Sequence, residues 1–87
     1  MKPIALITGA TSGIGEATAL LLSKNNYNII ITGRRNEKLI SLKERIQSET
    51  NSDVYVLNFD IRNLSENEAA IKSLPKEWQG IDVLVNN

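Results

Sequence analysis

The eight residues Thr8-Gly9-Ala10-Thr11-Ser12-Gly13-Ile14-Gly15 restrict what this chain can fold into more than any other stretch. They follow an apolar run, Ile4-Ala5-Leu6-Ile7, and precede an apolar-periodic one, Ala17 to Leu22. Strand, glycine-rich turn and helix in that order form the setting a nucleotide phosphate needs. A helix N-terminus leaves its first N–H groups without partners and carries partial positive charge. Gly9 is expected to let the chain leave the strand sharply, Gly13 to let backbone approach a phosphate, and Gly15 to let the helix pack close to the sheet. Thr11 and Ser12 offer hydroxyl donors, and the amide of Ile14 points at the expected phosphate position. The alternative is a glycine-rich turn that only reverses the chain.

The spacing is Gly-x-x-x-Gly-x-Gly, not the common Gly-x-Gly-x-x-Gly. An ATPase-type phosphate loop would carry Lys and then Ser or Thr after its last glycine. Here Glu16 and Ala17 stand there, and a carboxylate at that point would repel a triphosphate.

The remaining segments alternate in type. Strands are expected at Ile4–Thr8, Asn28–Thr32, Asp53–Phe59 and Ile81–Val85. The first is continuously apolar, as suits a parallel strand covered on both faces, and the second is β-branched. A first helix is expected from about Ser12 to Lys24, with Ile14, Ala17, Leu21 and Leu22 on one face and a stop at Asn25-Asn26. A second should run from about Asn36 to Ser48, capped by Asn36, with Leu39, Leu42 and Ile46 buried and Ile40 beside them. Ser65-Glu66-Asn67-Glu68 reads as a capping box opening a third helix through Ala69, Ala70, Ile71 and Leu74, which Pro75 helps close. The order β-α-β-α-β-α-β with short connections argues for a parallel sheet with crossover helices.

The 87 residues allow one small domain, and ten basic and ten acidic residues cancel. That balance gives no reason to expect nucleic acid or an anionic membrane as a partner. With no Cys and no His, the stretch holds neither a disulfide framework nor a thiolate–imidazole zinc site, and histidine acid–base chemistry is excluded within it. Residues 4–7 are too short an apolar run for a signal peptide or a membrane helix. A soluble, cytoplasmic protein is the expectation.

At the end of the second strand, where a carboxylate would bind the ribose 2′-OH and select NAD, the chain has Gly33-Arg34-Arg35. Glycine leaves room, and arginine can bind a phosphate bidentately. The pair therefore favours NADP over NAD, with Arg34 the stronger candidate; the competing reading is a solvated pair at a helix start.

The run Thr8 to Gly15 resembles the cofactor motif of the short-chain dehydrogenase/reductase superfamily, in its plain and not its extended form. Two further segments agree. Asp60-Ile61 resembles the family's Asp-Val/Ile pair along the adenine, and Asn86-Asn87 resembles the start of its Asn-Asn-Ala-Gly motif, near the adenosine ribose. Within the superfamily, Thr32-Gly33-Arg34-Arg35 and Ser73-Leu74-Pro75-Lys76-Glu77-Trp78, with the strand and asparagines after them, are similar to the NADP-dependent 3-hydroxy acid dehydrogenases, which act on serine, allo-threonine and related acids. The resemblance implies a Rossmann-type doubly wound α/β fold, of which this stretch would be the N-terminal portion with four strands and three helices. It implies hydride transfer between NADP and a small hydroxy or keto substrate, in a protein that forms homo-oligomers.

The family's catalytic Ser and Tyr-x-x-x-Lys have no counterpart here: Tyr27 is followed four residues on by Ile31, and Tyr55 by Phe59. The stretch is accordingly expected to be the cofactor-binding part of a longer enzyme. Both tyrosines are expected to pack beside strands, and Trp78 to act as a hydrophobic lid over the sheet edge. The alternatives are a nucleotide-binding or regulatory module without the chemistry, or a structural α/β scaffold.

Overall fold

Ile29, Ile30 and Ile31 are consecutive and fully buried. Successive side chains of a strand point to opposite faces, so this segment needs apolar cover on both sides. A computed structural model, which describes residues 2–33, 35–58 and 69–86, provides it. Four parallel strands, β1 (Ile4–Ile7), β2 (Asn28–Gly33), β3 (Val54–Asn58) and β4 (Ile81–Val85), form one sheet in the order β3-β2-β1-β4. On one face lie α1 (Gly13–Lys24) and α2 (Asn36–Glu49), whose Ala19, Leu20, Leu39, Leu42 and Ile46 pack on Ala5, Ile7, Ile29 and Ile31. Across the sheet, Ile4, Leu6, Ile30 and Leu57 meet Leu74, with Ala70 and Trp78 packed against them. This is the expected doubly wound α/β arrangement. Burying an isoleucine contributes about 1.5–3 kcal/mol, so β2 alone anchors a large share of the core.

The elements lie where the patterns placed them, to within a residue or two. The stop of α1 is explicit. Asn26 adopts φ 68°, the left-handed conformation that asparagine tolerates. The amide of Tyr27 donates to Leu22 O and that of Asn26 to Ser23 O, which together satisfy two terminal carbonyls. Leu22 and Tyr27 both pack against the core beside this turn. The second helix buries Leu39, Leu42 and Ile46 as expected, and leaves Ile40 43% exposed. Tyr55 packs on the second face, where its ring meets that of Trp78 at 5.6 Å and 50°. The tryptophan thus covers a sheet face beside edge strand β3. The described part of the third helix is the segment 69–72, which ends as the amide of Ser73 donates to Ala69 O. The capping box at 65–68 and Phe59 lie outside the described residues.

Two expectations are corrected. The first concerns the inward face of α1: of the expected Ile14, Ala17, Leu21 and Leu22, Leu22 alone packs against the core, and the buried residues are Gly15, Ala19, Leu20 and Ser23. Ile14 is 74% exposed and Leu21 62%. Because apolar residues run almost continuously from Ala17 to Leu22, periodicity could not fix the rotation of this helix. The short loop did: it brings the helix so close to the sheet that the small residues Gly15 and Ala19 must face it. The second correction is at the start of α2. The capping position is Arg35, whose carbonyl accepts from the amides of Lys38 and Leu39 at 3.1 Å, and no side chain caps it. Asn36 is already helical. The helix itself starts at Asn36, and the fully buried Leu39 in its first turn reaches the sheet beside Gly33.

The β1–β4 pairing shifts register between Ile4↔Ile81 and Ala5↔Val83. The Asp82 carboxylate fills the gap, accepting from the Ile4 amide at 2.9 Å.

A cap held by a left-handed asparagine makes a clear test. Asn26→Ala should lower stability by about 1 kcal/mol, whereas Asn26→Gly should leave it unchanged or raise it. Urea unfolding midpoints compare the two.

Candidate nucleotide-binding site

The strand order places the site. From β1 the chain moves to β2 and β3 on one side, then returns to β4 on the other side of β1. In an open parallel sheet, the crevice beyond the C-terminal strand ends at such a reversal is where ligands bind. The glycine loop leaves β1 there, and Asn86 leaves β4 beside it.

Each neighbour ties the loop down. The amide of Thr8 donates to Val85 O and that of Ala10 to Thr32 O, both at 3.0 Å. Between them Gly9 turns at φ 61°, a conformation that L side chains rarely adopt. Thr8 is buried, and its Oγ1 lies 3.3 Å from Val85 O and 3.2 Å from Asn86 Oδ1. Its single proton can serve one of these acceptors at a time. Either way the ends of β1 and β4 are joined, which brings Asn86 to the loop.

Ser12 is the N-cap of α1. Its hydroxyl accepts from the Gly15 amide at 3.1 Å and donates to Gly9 O at 2.9 Å, so the group expected to meet a phosphate is engaged within the loop. Its carbonyl takes the Glu16 amide at 2.9 Å. This leaves the amides of Gly13 and Ile14 with no acceptor among the described residues. They are two of the unsatisfied donors every helix start presents. A Cβ added to Gly13 would meet, outside its own turn of helix, no atom of the described residues within 4 Å. Packing of the chain on itself therefore does not require a glycine here, although glycine is a poor helix former. A ligand resting on the backbone would require it. Gly15, in contrast, is buried against the sheet.

At the end of β2, the room at Gly33 is already used. A Cβ there would lie 3.2 Å from Thr11 Cγ2 and 3.5 Å from Leu39 Cδ2. Thr11 thus reaches across from the glycine loop and packs on β2. Arg35 is exposed at the start of α2, on the same end of the sheet. Arg34, Asp60, Ile61 and Asn87 lie outside the described residues. The structure therefore brings together Gly9, Thr11, Ser12, Gly13, Ile14, Gly15 and Asn86 at the strand ends.

Sequence reasoning missed two features. The Thr32 hydroxyl is buried and has no hydrogen-bond partner among the described residues. Arg45 of α2 donates from Nη1 to Glu16 Oε1 at 2.9 Å and from Nε to Glu49 Oε2 at 2.8 Å. The bond and charge of Glu49, and then Glu16, hold the guanidinium pKa above its ordinary value. Only the Glu49 contact had a sequence signal, the i,i+4 spacing on one helix.

The family model for short chain dehydrogenase matches residues 3–87. The chain belongs to the short-chain dehydrogenase family. It is 44% identical over 84 residues to the NADP-dependent 3-hydroxy acid dehydrogenase YdfG of Salmonella typhi, an alignment covering 97% of this chain and 32% of that one. It is 41% identical over 87 residues to the serine 3-dehydrogenase of Agrobacterium fabrum, covering all of this chain and 33% of the other. Among solved structures, actinorhodin polyketide ketoreductase crystallised with NADPH superimposes with a TM-score of 0.88 at 32% identity, over 99% of this chain and 33% of that one. The chain thus spans about a third of the length of these relatives. No helix among the described residues is long and apolar enough to cross a membrane.

Two side chains give direct tests. Ser12→Ala should cost about 1 kcal/mol through loss of the cap, and Ser12→Gly only a few tenths. Thr32→Val should raise stability by up to about 1 kcal/mol, because the buried hydroxyl it removes has no hydrogen-bond partner among the described residues. Denaturation curves of the variants without cofactor check both.

Proposed function

We propose that this stretch is the cofactor-binding part of an NADP-dependent dehydrogenase whose substrate is a small hydroxy or keto compound, with 3-hydroxy acids the leading class. The observation that carries this reading is Gly13: a glycine open to solvent, whose amide and that of Ile14 have no acceptor among the described residues, at the strand ends where the sheet order reverses. The pyrophosphate would take the Gly13 and Ile14 amides and the positive end of α1. Arg34 and Arg35 would hold the 2′-phosphate. Asp60 and Ile61 would line the adenine, with Asn86 and Asn87 near its ribose. Bound there, the nicotinamide would supply or accept the hydride. The 3-hydroxy acid class is supported by the names of the two relatives, both about 40% identical.

Titration of the full-length protein with NADPH and NADH tests the assignment. The protein should prefer NADPH. Gly13→Val should abolish binding of both cofactors while leaving the fold intact, since a Cβ at this position meets no atom of the described residues outside its own turn of helix. Arg34→Asp combined with Arg35→Ala should reduce the NADPH preference at least tenfold, about what one lost charge-assisted hydrogen bond is worth. Unchanged NADPH affinity in that double variant overturns the cofactor assignment.

A further inference from the structure

Glu16 is an obstacle to the function just proposed. It stands two residues beyond Ile14, in the first turn of α1, and its own amide is bonded to the N-cap carbonyl. A carboxylate there draws on the same positive potential that an anionic ligand would use, and repels that ligand. The structure gives this carboxylate a partner. Arg45 reaches it from α2, held in place by Glu49 one helical turn further on. Glu16 and Arg45 line a cleft of about 370 Å³ that Ala10 and Thr11 of the glycine loop also line, with Lys38 on the α2 side.

We propose that Arg45 is a positioning residue for the dinucleotide phosphate: by pairing with Glu16 it compensates the one carboxylate in the first turn of α1 and so lets that turn accept an anion. The inference rests on reading the loop as an NADP site. It assigns a task to a residue distant from the motif in sequence and placed on a different helix. The pair's side chains are 52% and 41% exposed, so water and salt screen it, and its direct contribution to stability is small. Its effect on a ligand bearing several negative charges is larger, because every phosphate charge feels the uncompensated carboxylate.

The test uses the full-length protein, with NADPH as the probe, titrated by fluorescence at low salt and again at about 0.5 M salt, where charges several ångströms apart are screened. Arg45→Gln should weaken NADPH binding about three- to tenfold at low salt, and the difference should shrink at high salt. Glu16→Gln should bind as well as the natural protein or better. The Glu16→Gln, Arg45→Gln double variant should behave like Glu16→Gln alone, and Arg45→Lys should recover part of the loss. Arg45→Gln without effect on affinity overturns the proposal. So does equal weakening by Arg45→Gln and Glu16→Gln, the signature of a latch between helices that acts without regard to charge. Failure of the natural protein to bind NADPH overturns the NADP reading itself, and is told apart because it needs no variant.

Discussion

The amide of Thr8 on the carbonyl of Val85 and the amide of Ala10 on the carbonyl of Thr32 hold the glycine loop from both sides. β1 lies between β4 and β2, so the residues that follow it meet a neighbouring strand end on each side. Gly9 turns between the two bonds in a left-handed conformation, and α1 starts four residues later. The helix N-terminus is therefore fixed by the sheet. Moving it would break bonds that continue the β1 ladders on both sides. Site and core are one construction here: the isoleucines that bury β2 also hold the carbonyl that anchors Ala10.

Reading elements from the residues worked where one pattern had one solution. In α2 the buried positions Leu39, Leu42 and Ile46 share the helix with one other apolar residue, Ile40, so spacing fixed the face. It failed in α1, where an apolar run wraps most of the helix and rotation was settled by contact distance to the sheet. The shift beside Asp82 was equally hidden. It depends on the amide of Ile4, far away in sequence, finding a carboxylate.

At the site, the glycines were legible because backbone geometry permits few substitutes. Hydroxyls were less so. Ser12 offers a donor to a ligand, and a serine before a helix is also a cap; the capping bond is the one this structure displays. Likewise, the open space inferred at Gly33 was a correct reading of glycine with the wrong occupant, since Thr11 fills it. Arg45 was invisible because its partner across the α1–α2 gap comes close only after both helices have packed on the sheet.

The contact between Thr11 and the space above Gly33 has a consequence for altering cofactor choice. Redesign of a dinucleotide site starts at the residue closing the second strand, where a side chain is introduced to meet the ribose. In this protein that side chain would press on the threonine methyl at 3.2 Å, tighter than ordinary van der Waals contact. Positions 11 and 33 thus form one steric unit. A larger residue at 33 requires the Thr11 methyl to give way by a few tenths of an ångström, so varying the two positions together reaches combinations that varying either alone would miss.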